Sequence, residues 1–357
     1  MSHSPGYGKL LAWTPRPIMP TPAAVGHMVQ SYAAQSGLNL LCVDIGGATT
    51  DVFSVFRQEE GGSVFNRTVS ANLGMSYSMA NVMLEAGCEA ISRWLCFEMS
   101  EGDLRDRLRN KMIRPTSIPQ TREELYLEQA VCREALRLSL QHHRSLAVGL
   151  SGVQRQRGIA DIFSQKKNRG ELVKMMNLDL VIGSGGVLSH APRRLEAAFM
   201  ILDGFALEGV TQIAVDSIFM MPHLGALAAV HPAAAQEIFL HDCLVNVAHA
   251  IVPVWRGRTP QAGRVAQVYV DGEHIGTVWA ESVCVHALEA GRRCHLKIEP
   301  CAGSVDVGVG PGKAVTKEIE AGCEGLILDG RNRPLSPPGG IKGRLFQEKL
   351  FREMGLL

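Results

Sequence analysis

The sequence predicts an α/β chain whose sheet is interrupted by a helical insertion and followed by a small β-rich domain. Three observations carry this. Short apolar runs at 38–43, 52–56, 178–182 and 210–215 have strand length and β-branched content. Between the second and third of them, residues 75–144 turn helical and charge-rich, with Leu125, Cys132, Leu136 and Leu140 on one helix face. Beyond Pro253, β-like runs at 265–270, 275–279, 294–298, 305–309, 315–319 and 325–328 alternate with Asp271-Gly272, Ala290-Gly291, Gly310-Pro311-Gly312 and Ala321-Gly322 turns.

In chain order, a Pro-rich stretch to about Pro22 gives way to helical composition at 23–36, which Gly37 should stop. The first two strand runs are separated by a Gly/Thr turn and read as a β-hairpin. After the run at 178–182, Gly183-Ser184-Gly185-Gly186 makes a turn, and a helix should begin near Arg193, after Pro192. The run at 210–215 leads into an extended segment from Asp216, a Pro222–Gly225 turn and an Ala-rich helix start at 226–230. The expected organisation is 1–37, a Pro-rich segment and helix; 38–252, the α/β unit with its helical insertion near 75–170; 253–335, the β-rich domain; and 336–357, a tail with a short helix.

The 357 residues suit about two domains. Lys plus Arg is 36 and Asp plus Glu is 35, a net charge of +1 that excludes a polyanion partner read through bulk charge, so no nucleic acid is expected. With 46% hydrophobic and 20% charged residues, a sizeable core is available and disorder over most of the length is excluded. Nine cysteines without a CxxC pair suit reduced thiols and a cytoplasmic location better than a disulfide framework or a zinc site. No export signal is read at the N-terminus. The most apolar window, 219–235, is broken by Pro222, His223, His231 and Pro232, so no membrane partner is expected.

Chemistry concentrates in Asp44-Ile45-Gly46-Gly47-Ala48-Thr49-Thr50-Asp51, between two strands. Side-chain-free Gly46 and Gly47 let backbone amides approach phosphate oxygens, and Thr49 and Thr50 add hydroxyl donors. A carboxylate repels phosphate, so Asp44 makes sense as the residue that holds Mg²⁺ through its water shell. Asp51 is expected to fix the turn. The plain alternative is a Gly-rich hairpin in which both aspartates accept backbone N–H bonds. Gly183, Ser184, Gly185 and Gly186 would let backbone pass close to a base and ribose, and the 139 positions from Asp44 to Gly183 leave room for an insertion.

Other signals carry less. The stretch 155–169 is basic and reads as a solvated loop. A P-loop at 307–314 fails at Val307 and Ala314. His142 and His143 adjoin on a helix and point apart, while His241 and His249 could share a helix face without a third ligand. No Gly-x-Ser-x-Gly elbow supports Ser151 or Ser184 as a nucleophile, and no Asp-x-His-x-x-Gly corrinoid motif is present.

Together the hairpin, the Gly-Gly turn and the Asp216 to Gly225 segment resemble the actin, sugar kinase and heat-shock ATPase superfamily, whose core is ribonuclease H-like. Thr14-Pro15-Arg16-Pro17, VDIGGATTDVFSV from Val43, Asn72-Leu73-Gly74-Met75, IGSGGVL from Ile182 and GLILDGRNRPL from Gly325 resemble more narrowly the glutamate mutase accessory proteins, MutL or GlmL, which are unrelated to mismatch repair. The resemblance runs from about Trp13 to Pro337. It implies an ATP-dependent, chaperone-like partner of adenosylcobalamin-dependent mutases, with ATP or ADP and Mg²⁺ as ligands and no cobalamin site of its own. By motif, Asp44, Gly46, Gly47, Thr49 and Thr50 would meet phosphates and magnesium, and Gly183, Ser184, Gly185 and Gly186 the adenosine. Such proteins have two halves, and only a Pro-rich segment precedes Asp44, so the chain is expected to hold the second actin-like half, with a separate N-terminal half as a further partner. An ATP-dependent enzyme of the hydantoinase or oxoprolinase type, and a non-catalytic actin-like scaffold, are the alternatives.

Overall fold

A computed structural model describes residues 6–13, 16, 18–58, 61–147, 172–355 and 357. The basic stretch 155–169, Ser151, the end of the expected insertion, and Thr14, Pro15 and Pro17 lie outside the described residues. Ahead of the sheet come α1 (Tyr7–Leu11) and α2 (Thr21–Ser36); Pro22 opens α2, and Gly37 closes it in the left-handed conformation at φ 66°, its amide bonded to the Ala33 carbonyl. The hairpin β1 (Leu40–Ile45) and β2 (Thr50–Arg57) follows, then β3 (Ser63–Ser70). The insertion consists of α3 (Met79–Ala86), α4 (Cys88–Ser92), α5 (Glu101–Ile113) and α6 (Arg122–Leu146). A Thr121/Glu124 capping box starts α6, and Cys132, Leu136 and Leu140 are buried along it. Then come β4 (Leu180–Ser184), α7 (Gly186–Ser189), α8 (Arg194–Gly204), β5 (Gly209–Asp216), α9 (Met221–Ala228), α10 (Pro232–Ile238) and β6 (Leu244–Val252). The remainder is β7 (Val254–Trp255), β8 (Arg264–Val270), β9 (Glu273–Trp279), β10 (Val283–His286), β11 (Arg293–Pro300), β12 (Val305–Asp306), β13 (Val315–Glu320), β14 (Leu326–Asp329) and α11 (Gly340–Glu353).

One eight-stranded sheet runs β10-β14-β6-β5-β4-β1-β2-β3. Within it β3-β2-β1 is an antiparallel meander and β1, β4 and β5 are parallel neighbours, so the sheet is mixed. Every residue of β1 and β4 is buried, as strands covered on both faces require. One face packs on α3 to α6 and α8; the other packs on α2, α9 and α10 through Cys42, Phe53, Ile182 and Ala214. The four-stranded antiparallel sheet β13-β11-β8-β9 forms a third core against Val210, Ile251, Leu326 and Leu328 of the large sheet. Its β8–β9 turn is the expected Asp271-Gly272, with φ 50° and 87°.

Several expectations are corrected. The β-like runs after 253 do not all form one sheet: β14 pairs with β6, and β10 with β14, so both extend the large sheet. The run at 305–309 is a strand only at Val305–Asp306, because Asp306 turns back to accept the amides of Gly308 and Gly310 at 2.8 and 3.0 Å. Pro222 to Gly225 lies inside α9, where proline's missing amide is harmless in the first turn. His241 and His249 share no helix, since His249 sits in β6. The tail carries its expected helix, α11, which buries Leu350 and Phe351, with the Phe351 ring 5.1 Å from Tyr126. All nine cysteines are free thiols.

Buried charge ties the insertion to the C-terminal strands. Asp203 of α8 pairs with Arg133 of α6 at 2.8 Å and with Arg331 at 2.7 Å; Arg331 and Arg333 reach Asp329 of β14 at 2.9 and 3.0 Å. Against the upward push of burial, Arg331 and Arg333 hold the Asp329 carboxyl well below the ordinary carboxylate range. Removing one partner strands the others in a low dielectric. Arg331→Met should therefore lower the unfolding free energy by about 3–5 kcal/mol in urea denaturation, and Arg331→Lys should not restore it, because a single ammonium cannot fork between two carboxylates.

Candidate nucleotide-binding site

The parallel strands β1, β4 and β5 end at one edge of the sheet, the edge where open α/β sheets bind ligands. Asp44 lies in register with Ser184 on the parallel neighbour and opposite Asp51 on the antiparallel one. Each follows or precedes by two residues a core residue of the α2 and α9 face, so the side chains of Asp51, Asp44, Ser184 and Asp216 form one row across β2, β1, β4 and β5 on that face. Asp44 Oδ1, Asp51 Oδ1 and Ser184 Oγ are buried without a hydrogen-bond partner among the described residues. Asp216 differs: its two oxygens accept the amides of Ile218 and Met220, both at 3.3 Å, and of Met221 at 3.1 Å.

Burial, then Asp51 and Asp216, push the Asp44 carboxyl up to about 7. Burial pushes Asp51 up to about 6, with Arg67 partly opposing it. Asp51 does not fix the turn, as the sequence suggested. The turn is fixed instead by the Gly46 amide on the Thr49 carbonyl at 2.9 Å and by a strap formed by residues 73–78. The Met75 and Ser76 amides bond the Gly46 and Gly47 carbonyls at 2.9 Å each, and Ser78 Oγ bonds the Ala48 carbonyl at 2.8 Å. Gly74 admits the strap, since a Cβ there would lie 2.4 Å from the Ala48 carbonyl carbon.

With the turn's carbonyls engaged by the strap, the amides of Gly47, Ala48 and Thr49 and the Thr49 hydroxyl have no partner among the described residues. Successive free amides make an anion-binding concavity. Gly46 contributes shape only, its amide being engaged. Thr50 is fully buried and its hydroxyl donates to the Leu73 carbonyl, so it anchors the strap and has no proton to offer a phosphate.

The Gly-rich segment divides. Gly183 and Ser184 are the last residues of β4; Gly183 is packed under Ile201 and Leu188, where a Cβ would come within 2.7 Å, so it serves the core. Gly185 takes φ 98°, and a Cβ on it would stand 2.1 Å from the Ile45 carbonyl oxygen. Gly186 begins α7 and faces open space. Thus Gly185 packs on Ile45 at the start of the hairpin loop and Gly186 follows it into open space, while Gly183 and Ser184 belong to β4 and not to that turn.

Among the described residues, no group of three or more His, Cys, Asp or Glu side chains is placed to hold a metal ion directly. The unpaired Asp44 and Asp51 oxygens do fit a hydrated Mg²⁺, which keeps its waters and needs acceptors for them. No helix among these residues is long and apolar enough to cross a membrane.

The profile of the MutL protein family matches residues 1–243, from the N-terminus to the last residue before β6. The chain belongs to the MutL protein family. Gly325 to Leu335 lies outside that match, and its Asp329, Arg331 and Arg333 form the buried ion network. Among curated relatives, Protein MutL of Clostridium tetanomorphum is 27% identical over 241 residues, covering 62% of this chain and 50% of that protein. The chain spans about half the length of that relative. Component A of the Acidaminococcus fermentans (R)-2-hydroxyglutaryl-CoA dehydratase shares 13% identity and a TM-score of 0.31, over 65% of this chain and 73% of that one.

The carboxylate row has a measurable cost. Asp44 and Asp51 hold protons in the folded chain that the unfolded chain has released, so their contribution to stability is full below about pH 4 and is lost as pH rises through about 7. Asp44→Asn should stabilise the chain in EDTA, by an amount that grows between about pH 4 and 7 and levels off near about 4 kcal/mol. Thermal unfolding across that range checks it.

Proposed function

We propose that this MutL-family chain binds ATP and ADP with Mg²⁺ and acts as an ATP-dependent accessory factor, of the chaperone-like reactivating type, for an adenosylcobalamin-dependent mutase of the glutamate mutase class. The observation that carries the nucleotide reading is the run of free amides at Gly47, Ala48 and Thr49 beside two buried, unpaired carboxylates. Phosphate oxygens suit the amides, and only a cation lets phosphate approach the carboxylates. Gly185 and Gly186 are proposed to take the adenosine, since Gly185 packs on Ile45 at the start of the same loop and Gly186 faces open space.

Family membership supports the mutase as partner. The corrinoid belongs to that enzyme in this reading, and the chain contributes nucleotide-dependent association.

The test is co-sedimentation of the purified chain with the holoenzyme of a glutamate mutase-type enzyme. Association should require Mg²⁺ and ATP or ADP, and Asp44→Asn should reduce it at least about tenfold. Equal association of wild type and variant, with or without nucleotide, would contradict the reading.

A further inference from the structure

Ser184 stands where its expected role does not reach. It closes β4, fully buried, and its side chain lies in the row with Asp44 and Asp51 instead of facing the Gly185-Gly186 turn. Its Oγ has no partner among the described residues, although Asp44, its register neighbour on β1, also carries an unpaired Oδ1. A serine with a merely structural task would spend its hydroxyl on a neighbour, as Thr50 does on Leu73 and Ser189 does on the Asp216 carbonyl at 2.5 Å. Three unpaired oxygens on three adjacent strands mark a ligand that supplies donors.

We propose that Ser184 is a cation-positioning residue: its hydroxyl, with Asp44 Oδ1 and Asp51 Oδ1, holds the water shell of the divalent cation that accompanies the nucleotide phosphates. This rests on the nucleotide reading above. A hydrated Mg²⁺ presents an outer surface of water protons, and all three oxygens are acceptors at the base of the site. A hydroxyl accepts without adding a fourth negative charge to a row that already holds Asp44, Asp51 and Asp216, which accounts for serine at the position between two acids. Asp216 bounds the cradle, because its oxygens are committed to the amides of the loop after β5. The lack of a direct ligand group among the described residues agrees with contact through water.

The experiment is calorimetric titration of the full chain with ADP, in Mg²⁺ and in EDTA, for wild type, Ser184→Ala and Asp51→Asn, with thermal unfolding of each in EDTA. Ser184→Ala should lose about tenfold or more of the affinity gained from Mg²⁺, as loss of a water-shell partner does. It should bind ADP in EDTA as wild type does, and unfold at the same or a higher temperature. Asp51→Asn should lose the same Mg²⁺-dependent gain. An unchanged Mg²⁺ gain in Ser184→Ala overturns the inference and leaves the nucleotide reading standing. Equal losses with and without Mg²⁺, or a destabilised variant, also overturn it and return Ser184 to an adenosine-binding or structural role. Wild type that gains nothing from Mg²⁺ overturns the nucleotide reading and the inference together.

Discussion

The arrangement depends on one close contact, Gly185 against the Ile45 carbonyl. Any side chain at 185 would strike the backbone of β1 just where the hairpin loop begins, and its φ of 98° already disfavours one. The contact holds the end of β4 against the end of β1, where Ser184 lies in register with Asp44, and puts Gly185 at the start of the hairpin loop. Gly74 makes the matching contact from the other side, letting the strap lie on Ala48. Two residues without side chains thereby fix the loop's shape, while the strap occupies its carbonyls and leaves its amides free.

Buried charge is handled in two opposite ways within one chain. At the seam between insertion and C-terminal strands, Asp203 and Asp329 are each forked by arginines, and the network serves cohesion. At the sheet edge, Asp44 and Asp51 face each other across the hairpin with an unpaired oxygen apiece. No cohesion follows from that second arrangement; it raises both carboxyls and leaves acceptors ready for a ligand. Placing the unpaired row on buried positions of β2, β1 and β4 keeps the acceptors in fixed positions, whereas the free amides lie on a loop that the strap braces.

Much of this was legible in the sequence, and the parts that were not have physical causes. The hairpin could be read because Gly46 and Gly47 interrupt two β-branched runs, and β8–β9 because Asp271-Gly272 is a strong turn signal. β3 was hidden: it is a half-exposed outer strand with Asn66 and Arg67 in its middle, and its apolar signal is weak. Asn246 and His249 likewise broke the apolar pattern of β6. Asp51 was misread because its partner across the strands is a matter of register, which spacing along the chain does not reveal. Ser184 was read as part of a turn because its Gly-rich surroundings imply one, yet the strand continues through it. Thr50 resembled a phosphate donor until the strap, distant in sequence, claimed its hydroxyl.

The central claim is that the loop of this hairpin receives phosphate through its free amides. The most direct measurement is the backbone amide NMR spectrum of the chain as ADP is added in the presence of Mg²⁺. The account requires large shifts and slowed hydrogen exchange at Gly47, Ala48 and Thr49, with little change at the engaged amide of Gly46. Binding of ADP that leaves those three amides unperturbed would contradict it, as would a spectrum that does not respond to ADP at all.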